Sequence, residues 1–325
     1  MSMHKHPLIE YLPDVSPVVY GCMGLGGGWD KQSINSTHIE QAHECIDAAL
    51  QSEINYFDHA DIYTLGKAEQ VFGQVLKERP ALRDQMYIQS KCGIRFDDEL
   101  GPKRYDLSAK WITQSVDESL ARLNTEYLDV LVLHRPDPLM EPDEIAEAFH
   151  RLKSAGKVRY LGVSNMQQQQ MAFLQRSLDT PLVLNQIEIS LGHLDWLDEG
   201  IYAGNSAGCD TNFTPGTLEY CRQNKTQIQS WGSLCQGLFS GRDVSDQAAH
   251  IQHTSALVAK LAVEYGVSPE AIVLGWLMRY PAGIQPVIGS TNPKRIKASQ
   301  QAVGLNLSRE HWYALYVCAR GQALP

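Results

Sequence analysis

Asp58, Tyr63, Lys91 and His134 have the residue types and the spacing for acid–base chemistry. Each lies at or just beyond the end of a short apolar run. Asp58 and Tyr63 close Phe57-Asp58-His59-Ala60-Asp61-Ile62-Tyr63, Lys91 ends an Ile-Gln-Ser-Lys stretch, and His134 ends Leu131-Val132-Leu133-His134. Brought together, such groups suit proton transfer to a carbonyl oxygen. A free phenol has a pKa of about 10, poorly matched to work near neutrality. A buried Lys cation beside it stabilises the phenolate, and a carboxylate such as Asp58 keeps that Lys charged and oriented. A His on the other side can orient the carbonyl or share in a proton relay. None of these groups can supply a hydride, so a reduction needs a cofactor. Singly, each has an ordinary structural reading: a packed rim Tyr, a solvated Lys, a His with one structural hydrogen bond. The set gains meaning only if the fold places those run ends side by side.

The apolar runs alternate with helical patterns along the whole chain. Strands are expected at Val18–Met23, Tyr56–His59, Met86–Lys91, Leu128–His134, Val158–Val163, Val183–Glu188, Gln227–Trp231 and Gln285–Gly289. They are short and nearly continuous in apolar character, as parallel strands buried on both faces should be. Helices are expected at Ser108–Leu123, Pro142–Ala155, Met166–Gln175, Thr254–Tyr265 and Ser268–Arg279, with Ser, Pro and Gly at the boundary positions that favour them. Strand–helix alternation without a linker implies one α/β domain over residues 1–325. Eight such units close into a (β/α)8 TIM barrel, whose strand tips converge on one mouth. The alternative is an open doubly wound sheet. Its dinucleotide fingerprint is missing: in Gly21–Gly28, Trp29 stands where a third glycine is needed after Gly24 and Gly26. The stretches 195–216 and 232–250 are expected to be long loops at the barrel mouth, and loops of that length are usually functional or mobile. The run Gln167–Gln170 opens a helix and is given no role.

Of 325 residues, 43% are hydrophobic and 20% charged, which fits a globular protein with a large core. The net charge of −9 argues against sequence-independent nucleic-acid binding, which needs a basic footprint. Seven cysteines with no C-x-x-C pair point to reduced thiols rather than a disulfide framework or a metal site. No segment approaches the roughly 18 apolar residues of a membrane span, and the N-terminal residues lack a signal-type apolar stretch. The expectation is a cytoplasmic protein with no membrane and no nucleic-acid partner; the oligomeric state is not readable.

From about Val18 to Ala319 the chain resembles the aldo-keto reductase superfamily, most closely the bacterial branch near the potassium-channel β-subunit-like reductases. The matching stretches are Phe57–Tyr63, Ser90-Lys91, Leu131–His134, Gly162-Val163-Ser164-Asn165, Asn185-Gln186 and Pro286-Val287-Ile288-Gly289-Ser290, in the family's order and each after an expected strand. The resemblance implies the eight-stranded barrel and NADPH bound across its mouth. It makes Tyr63 the general acid, Asp58 and Lys91 the pair that lowers its pKa, and His134 the residue that orients the carbonyl. It sets Ser164, Asn165 and Gln186 against the nicotinamide carboxamide and Trp231 against the ring. Ser233, Leu234 and Gly241 match the loop over the pyrophosphate, with Arg242 open to a role there or on the surface. Ile288, Gly289, Ser290, Thr291 and Arg295 match the segment that holds the 2′-phosphate, Arg295 being better suited than Lys294 because its fork matches phosphate oxygens. Asn165 is equally open to a helix N-cap role.

Two departures from the family pattern stand out. Where many members hold adenosine with an acidic residue and an Asn, this chain has Ala298 and Ser299, leaving Gln300 or Gln301 as substitutes. The stretch 195–216 is long. The implied activity is NADPH-dependent reduction of a small or aromatic aldehyde, or a ketone, with Tyr63 donating the proton. Trp29 and Leu191–Trp196 are candidate pocket walls. A nucleotide-binding regulatory subunit with little catalysis is the alternative, though such a module has no need of the Asp/Tyr/Lys/His set. A Schiff-base role for Lys91 is disfavoured, because Asp58 would keep the amine protonated.

Overall fold

The computed structural model describes residues 6–202 and 204–325. Eight strands form one closed parallel barrel: β1 (Val19–Gly21), β2 (Tyr56–Asp58), β3 (Tyr87–Cys92), β4 (Leu128–Leu133), β5 (Val158–Ser164), β6 (Leu184–Glu188), β7 (Gln227–Trp231) and β8 (Gln285–Ile288). Their order around the barrel is sequential, with β1 paired to both β2 and β8. All eight expected strands are present, shifted by at most two residues at an end. Leu128–Leu133 is buried at every position, which explains its unbroken apolar run.

The helices wrap the barrel. Ser108 caps Ala109–Leu123 by accepting from the Trp111 N–H at 3.3 Å. Ser268 caps Pro269–Met278 in the same way. Gln167 and Gln170 form a reciprocal cap at the start of Gln168–Gln175, so the Gln run is a helix start. Asn165 is therefore not the N-cap: the backbone there is left-handed, at φ 56°. The helix expected from Thr254 begins earlier, at Ala249. Its N-cap residue is Ala248, which makes no side-chain capping bond, so no start signal exists in the sequence.

Two further corrections concern loops. The stretch 195–216 is not one irregular loop at the mouth, because Asp195–Ile201 is helical. Buried Trp196 packs edge-on against Trp276 and Tyr280, and Asp198 accepts from Arg320 Nε at 3.0 Å. These contacts draw the segment onto the flanking helices Pro269–Met278 and Arg309–Arg320. After β3, the chain makes an unexpected two-stranded antiparallel hairpin, Ile94–Arg95 with Arg104–Tyr105, tied by Arg95 and Arg104 to Asp98 and Asp106.

The apolar core has two parts. One lies between barrel and helices. The other fills the lower barrel, where Leu8, Leu12 and Val15 from the N-terminal segment pack on Val19, Tyr56, Val130, Val132 and Leu184. Above that plug the barrel interior turns polar, toward the strand tips.

Candidate active site

The ladder register sets the first layer of the site. Gly21 pairs with Asp58, Asp58 with Gln89, and Lys91 with Val132. Asp58 and Lys91 thus project inward from neighbouring strands near the mouth, one layer apart. The Lys91 ammonium donates to Asp58 Oδ1 at 2.5 Å, to the His59 carbonyl at 3.0 Å and to the Tyr63 hydroxyl at 2.8 Å. All three of its donors are satisfied, and its side chain is fully buried. The ring of His134, just past β4, stands edge-on to Tyr63 with centroids 6.1 Å apart. The four residues singled out from sequence are therefore one cluster.

The turn after β2 aims the phenol. Thr64, Leu65 and Gly66 follow Tyr63 with φ of 46°, 61° and 85°. A β-branched residue in the left-handed region is strained and needs anchoring. Thr64 has that anchor: its hydroxyl reaches the Leu25 carbonyl at 3.0 Å. Leu25 lies in the glycine-rich stretch, where a Cβ on Gly26 would sit 2.6 Å from the Lys67 carbonyl carbon. The glycines thus serve close packing of β1's exit against the Tyr63 turn.

Electrostatics divide the cluster. Burial works against the Lys91 ammonium, but Asp58 and Tyr63 beside it outweigh burial and raise its pKa. Burial pushes the Tyr63 phenol up to about 12, although Lys91 pulls it down. The expectation of a lowered phenol pKa is corrected for the ligand-free protein: desolvation exceeds the pull of the cation. Burial and the nearby Lys91 and Arg135 cations hold His134 well below its ordinary value, so its imidazole is neutral. Its Nδ1 is buried with no hydrogen-bond partner among the described residues. At neutral pH the cluster holds a protonated phenol, an ammonium bonded to Asp58, and a neutral imidazole.

Across the mouth, Ser164, Asn165, Gln186 and Trp231 form a second group. The Ser164 hydroxyl donates to the Gln186 carbonyl at 2.8 Å. Asn165 donates to Ser164 Oγ at 2.8 Å and to the His134 carbonyl at 3.3 Å, and it accepts from the Trp231 indole at 3.0 Å. Toward a ligand, Ser164 and Asn165 chiefly offer remaining lone pairs. The Oε1 of Gln186 has no protein partner among the described residues, while its Nε2 donates to Gln229 Oε1 at 3.0 Å. Lone pairs beside an amide N–H suit a carboxamide, which both donates and accepts.

The remaining cofactor candidates lie on the loops after β7 and β8. Ser233 is buried and bonded to Ser230, and half-buried Leu234 packs against the main core. Gly241 is left-handed at φ 106°, with open space where a Cβ would stand. The two loops converge: a Cβ on Gly237 would lie 3.9 Å from Arg242 Cβ and 4.0 Å from Arg295 Nη1. Ile288 is buried, the would-be Cβ of Gly289 faces open space, and Ser290 accepts from the Asn292 N–H at 3.2 Å. Thr291 Cγ2 approaches Gly24. Among the described residues, no carboxylate pairs with Arg242 or Arg295. Two exposed cations beside backbone with open space at Gly241 and Gly289 fit a phosphate-bearing nucleotide. The adenosine substitutes fare otherwise. Gln301 accepts from the Ser268 N–H, Gln300 faces Glu53, and buried Ser299 bonds back to Arg295.

Two features escaped the sequence. Beneath Asp58 lies a layer of buried amides, Gln89, Gln186, Gln229 and Gln285. Glutamines within four apolar strands, two of them in β7, were the available signal. Beside His134, half-buried Arg135 lies over the Trp231 ring at 6.0 Å, and among the described residues it has no acidic partner.

Comparison with known proteins adds to this geometry. A profile described as "Aldo/keto reductase family" matches residues 17–319. The chain is 33% identical over 318 residues to a protein of Agrobacterium fabrum named 6-dehydroglucose reductase, covering 95% of this chain and 96% of that one. It is 28% identical to a putative voltage-gated potassium channel subunit beta of Schizosaccharomyces pombe, covering 85% and 83% of the two chains. A Klebsiella pneumoniae aldo/keto reductase solved with NADP and acetate shares the fold, with a TM-score of 0.69 at 22% identity, over 93% of this chain and 90% of that one.

Proposed function

The chain belongs to the aldo/keto reductase family, and on that premise we propose that it reduces an aldehyde or ketone to the alcohol with NADPH, Tyr63 giving the proton. The observation that carries this reading is the buried Lys91 ammonium, shared between Asp58 at 2.5 Å and the Tyr63 hydroxyl at 2.8 Å. When bound, NADPH supplies the hydride that the carbonyl carbon needs. The chain's own part is the proton. Tyr63 donates it to the carbonyl oxygen, and Lys91 stabilises the phenolate left behind. Asp58 keeps Lys91 charged and fixed in place. Neutral His134 orients the carbonyl oxygen by hydrogen bonding.

For the cofactor, we assign Gln186, Ser164 and Asn165 to the carboxamide and Trp231 to the ring face. Ser233, Leu234 and Gly241 border the pyrophosphate. Arg242 offers its charge to the pyrophosphate, and Ile288, Gly289, Ser290, Thr291 and Arg295 hold the adenosine 2′-phosphate. Among carbonyls, sugar aldehydes are the first choice. The Agrobacterium relative is named for 6-dehydroglucose, and Arg135 brings hydrogen-bond donors beside His134.

The test is fluorescence titration with NADPH and NADH, followed by NADPH consumption with sugar and aromatic aldehydes. The expected result is quenching by both, tighter binding of NADPH, and turnover. Equal affinity for the two would remove the 2′-phosphate assignment. NADPH binding without consumption of any carbonyl would favour a nucleotide-binding regulatory subunit instead.

A further inference from the structure

The barrel interior below the proton donor holds a chain of side-chain amides with a defined direction. The Ser16 carbonyl can only accept, and Gln285 Nε2 donates to it at 2.7 Å. Gln285 must therefore turn its Oε1 toward β7, where Gln229 Nε2 donates to it at 2.9 Å. That fixes Gln229 in turn. Its Nε2 also reaches Gln89 Oε1 at 3.2 Å, and its Oε1 accepts from Gln89 Nε2 at 2.9 Å and from Gln186 Nε2 at 3.0 Å. The second hydrogen of Gln89 Nε2 then points at Asp58 Oδ1, 2.5 Å away. Ladder register explains the line-up: Gln186 pairs with Gln229, Gln229 with Gln285, and Asp58 with Gln89.

All four amides are buried, so water cannot replace a lost link. If any one of them flipped, a donor would face a donor or an acceptor would face an acceptor, and buried polar clashes of that kind are costly. A barrel interior needs only bulky apolar side chains to be stable, as the plug below this layer illustrates. Four amides in one chain that ends on Asp58 at one side and on Gln186 at the other answer a different need.

We propose that Gln89, Gln229 and Gln285 are positioning residues: anchored at Ser16, they deliver an N–H to Asp58 and hold Gln186 with its Oε1 toward the mouth. The proposal rests on Tyr63 being the proton donor that Asp58 and Lys91 serve. Asp58 accepts from both Lys91 and Gln89, and a charge-assisted bond from each holds its side chain in place and keeps Lys91 aimed at Tyr63. Lys91 and Tyr63 face Asp58, and Tyr56 and Cys22 are close enough to sense its charge. His134 and His59 sense Lys91.

Two substitutions test this, Gln89→Met and Gln285→Leu, the second touching neither Asp58 nor Lys91. Three readouts are used: kcat and KM for the carbonyl, NADPH affinity by fluorescence, and the Tm of the ligand-free protein. Gln89→Met loses the bond to Asp58 and both bonds to Gln229, and is expected to lower kcat roughly tenfold or more, the size of a hydrogen bond to a charged group, and to weaken NADPH through Gln186. Gln285→Leu should lower kcat by a smaller amount and should also weaken NADPH through Gln186. KM for the carbonyl should stay near the parent's in both. A loss of Tm with kcat and NADPH affinity equal to the parent's would overturn the proposal. Should Gln89→Met not fold, the Gln285→Leu values decide alone. A parent that consumes no NADPH with any carbonyl would refute the underlying function instead.

Discussion

The two halves of the mouth are built in opposite ways. On the β2–β4 side, Asp58, Lys91 and Tyr63 are buried, mutually bonded and backed by a strained turn at Thr64. On the β7–β8 side, Arg242 and Arg295 are exposed, no carboxylate pairs with them among the described residues, and Gly241 and Gly289 leave open space. One half is organised before any ligand arrives. The other keeps its charges available for one. The contrast fits a division of labour in which proton chemistry requires geometry fixed in advance, while nucleotide affinity comes from charge offered at the surface.

The sharpest way to break this contrast is Lys91→Met. It leaves Asp58 buried without its cation, and removal of one partner of a buried pair costs about 3–5 kcal/mol. The variant should lose a large part of its thermal stability and at least about 100-fold in kcat, the lower range for a lost acid–base assembly. If its Tm matches the parent's, the donor half is not held together by the buried Lys91–Asp58 pair.

Arg295→Leu should act on the open half alone. NADPH affinity should fall roughly tenfold or more, NADH affinity should stay unchanged, and kcat at saturating NADPH should be preserved. A fall in kcat of the same size would mean that the two halves are not separable.

The fold was largely legible in the sequence, because each strand is an unbroken apolar run and the runs alternate with helical periods. The donor cluster was legible for the same reason: its members stand at strand tips, and a barrel brings tips together. What stayed hidden depended on tertiary context. Nothing in the sequence marks the helix start at Ala249, since Ala248 has no capping group. The tie between Asn165 and Trp231 joins the exits of β5 and β7 and has no local signature. The amides of Gln89, Gln186, Gln229 and Gln285 read as scattered polar residues until ladder register aligns them. The raised pKa of Tyr63 needed the burial of the phenol, which the sequence does not state.

A smaller effect asks how far the strained character of the donor half extends. Burial, with Glu69 close by, pushes the Asp61 carboxyl up to about 8, and its Oδ1 is buried with no hydrogen-bond partner among the described residues. In the unfolded chain the same group ionises at about 3.9. The folded state thus favours the protonated form, so the parent loses stability as pH rises from that value toward about 8. Asp61→Asn cannot ionise. Its Tm relative to the parent should climb over that window and level off above it; a constant difference would show that Asp61 does not titrate in the folded state.

The account turns on Tyr63 as the proton donor within a site that binds its cofactor independently. The direct measurement pairs NADPH titration with steady-state NADPH consumption for the parent and Tyr63→Phe, on whichever aldehyde the parent reduces fastest. The prediction is NADPH affinity within about twofold of the parent, with kcat reduced at least about 100-fold. A Tyr63→Phe protein that reduces the aldehyde as fast as the parent would contradict it.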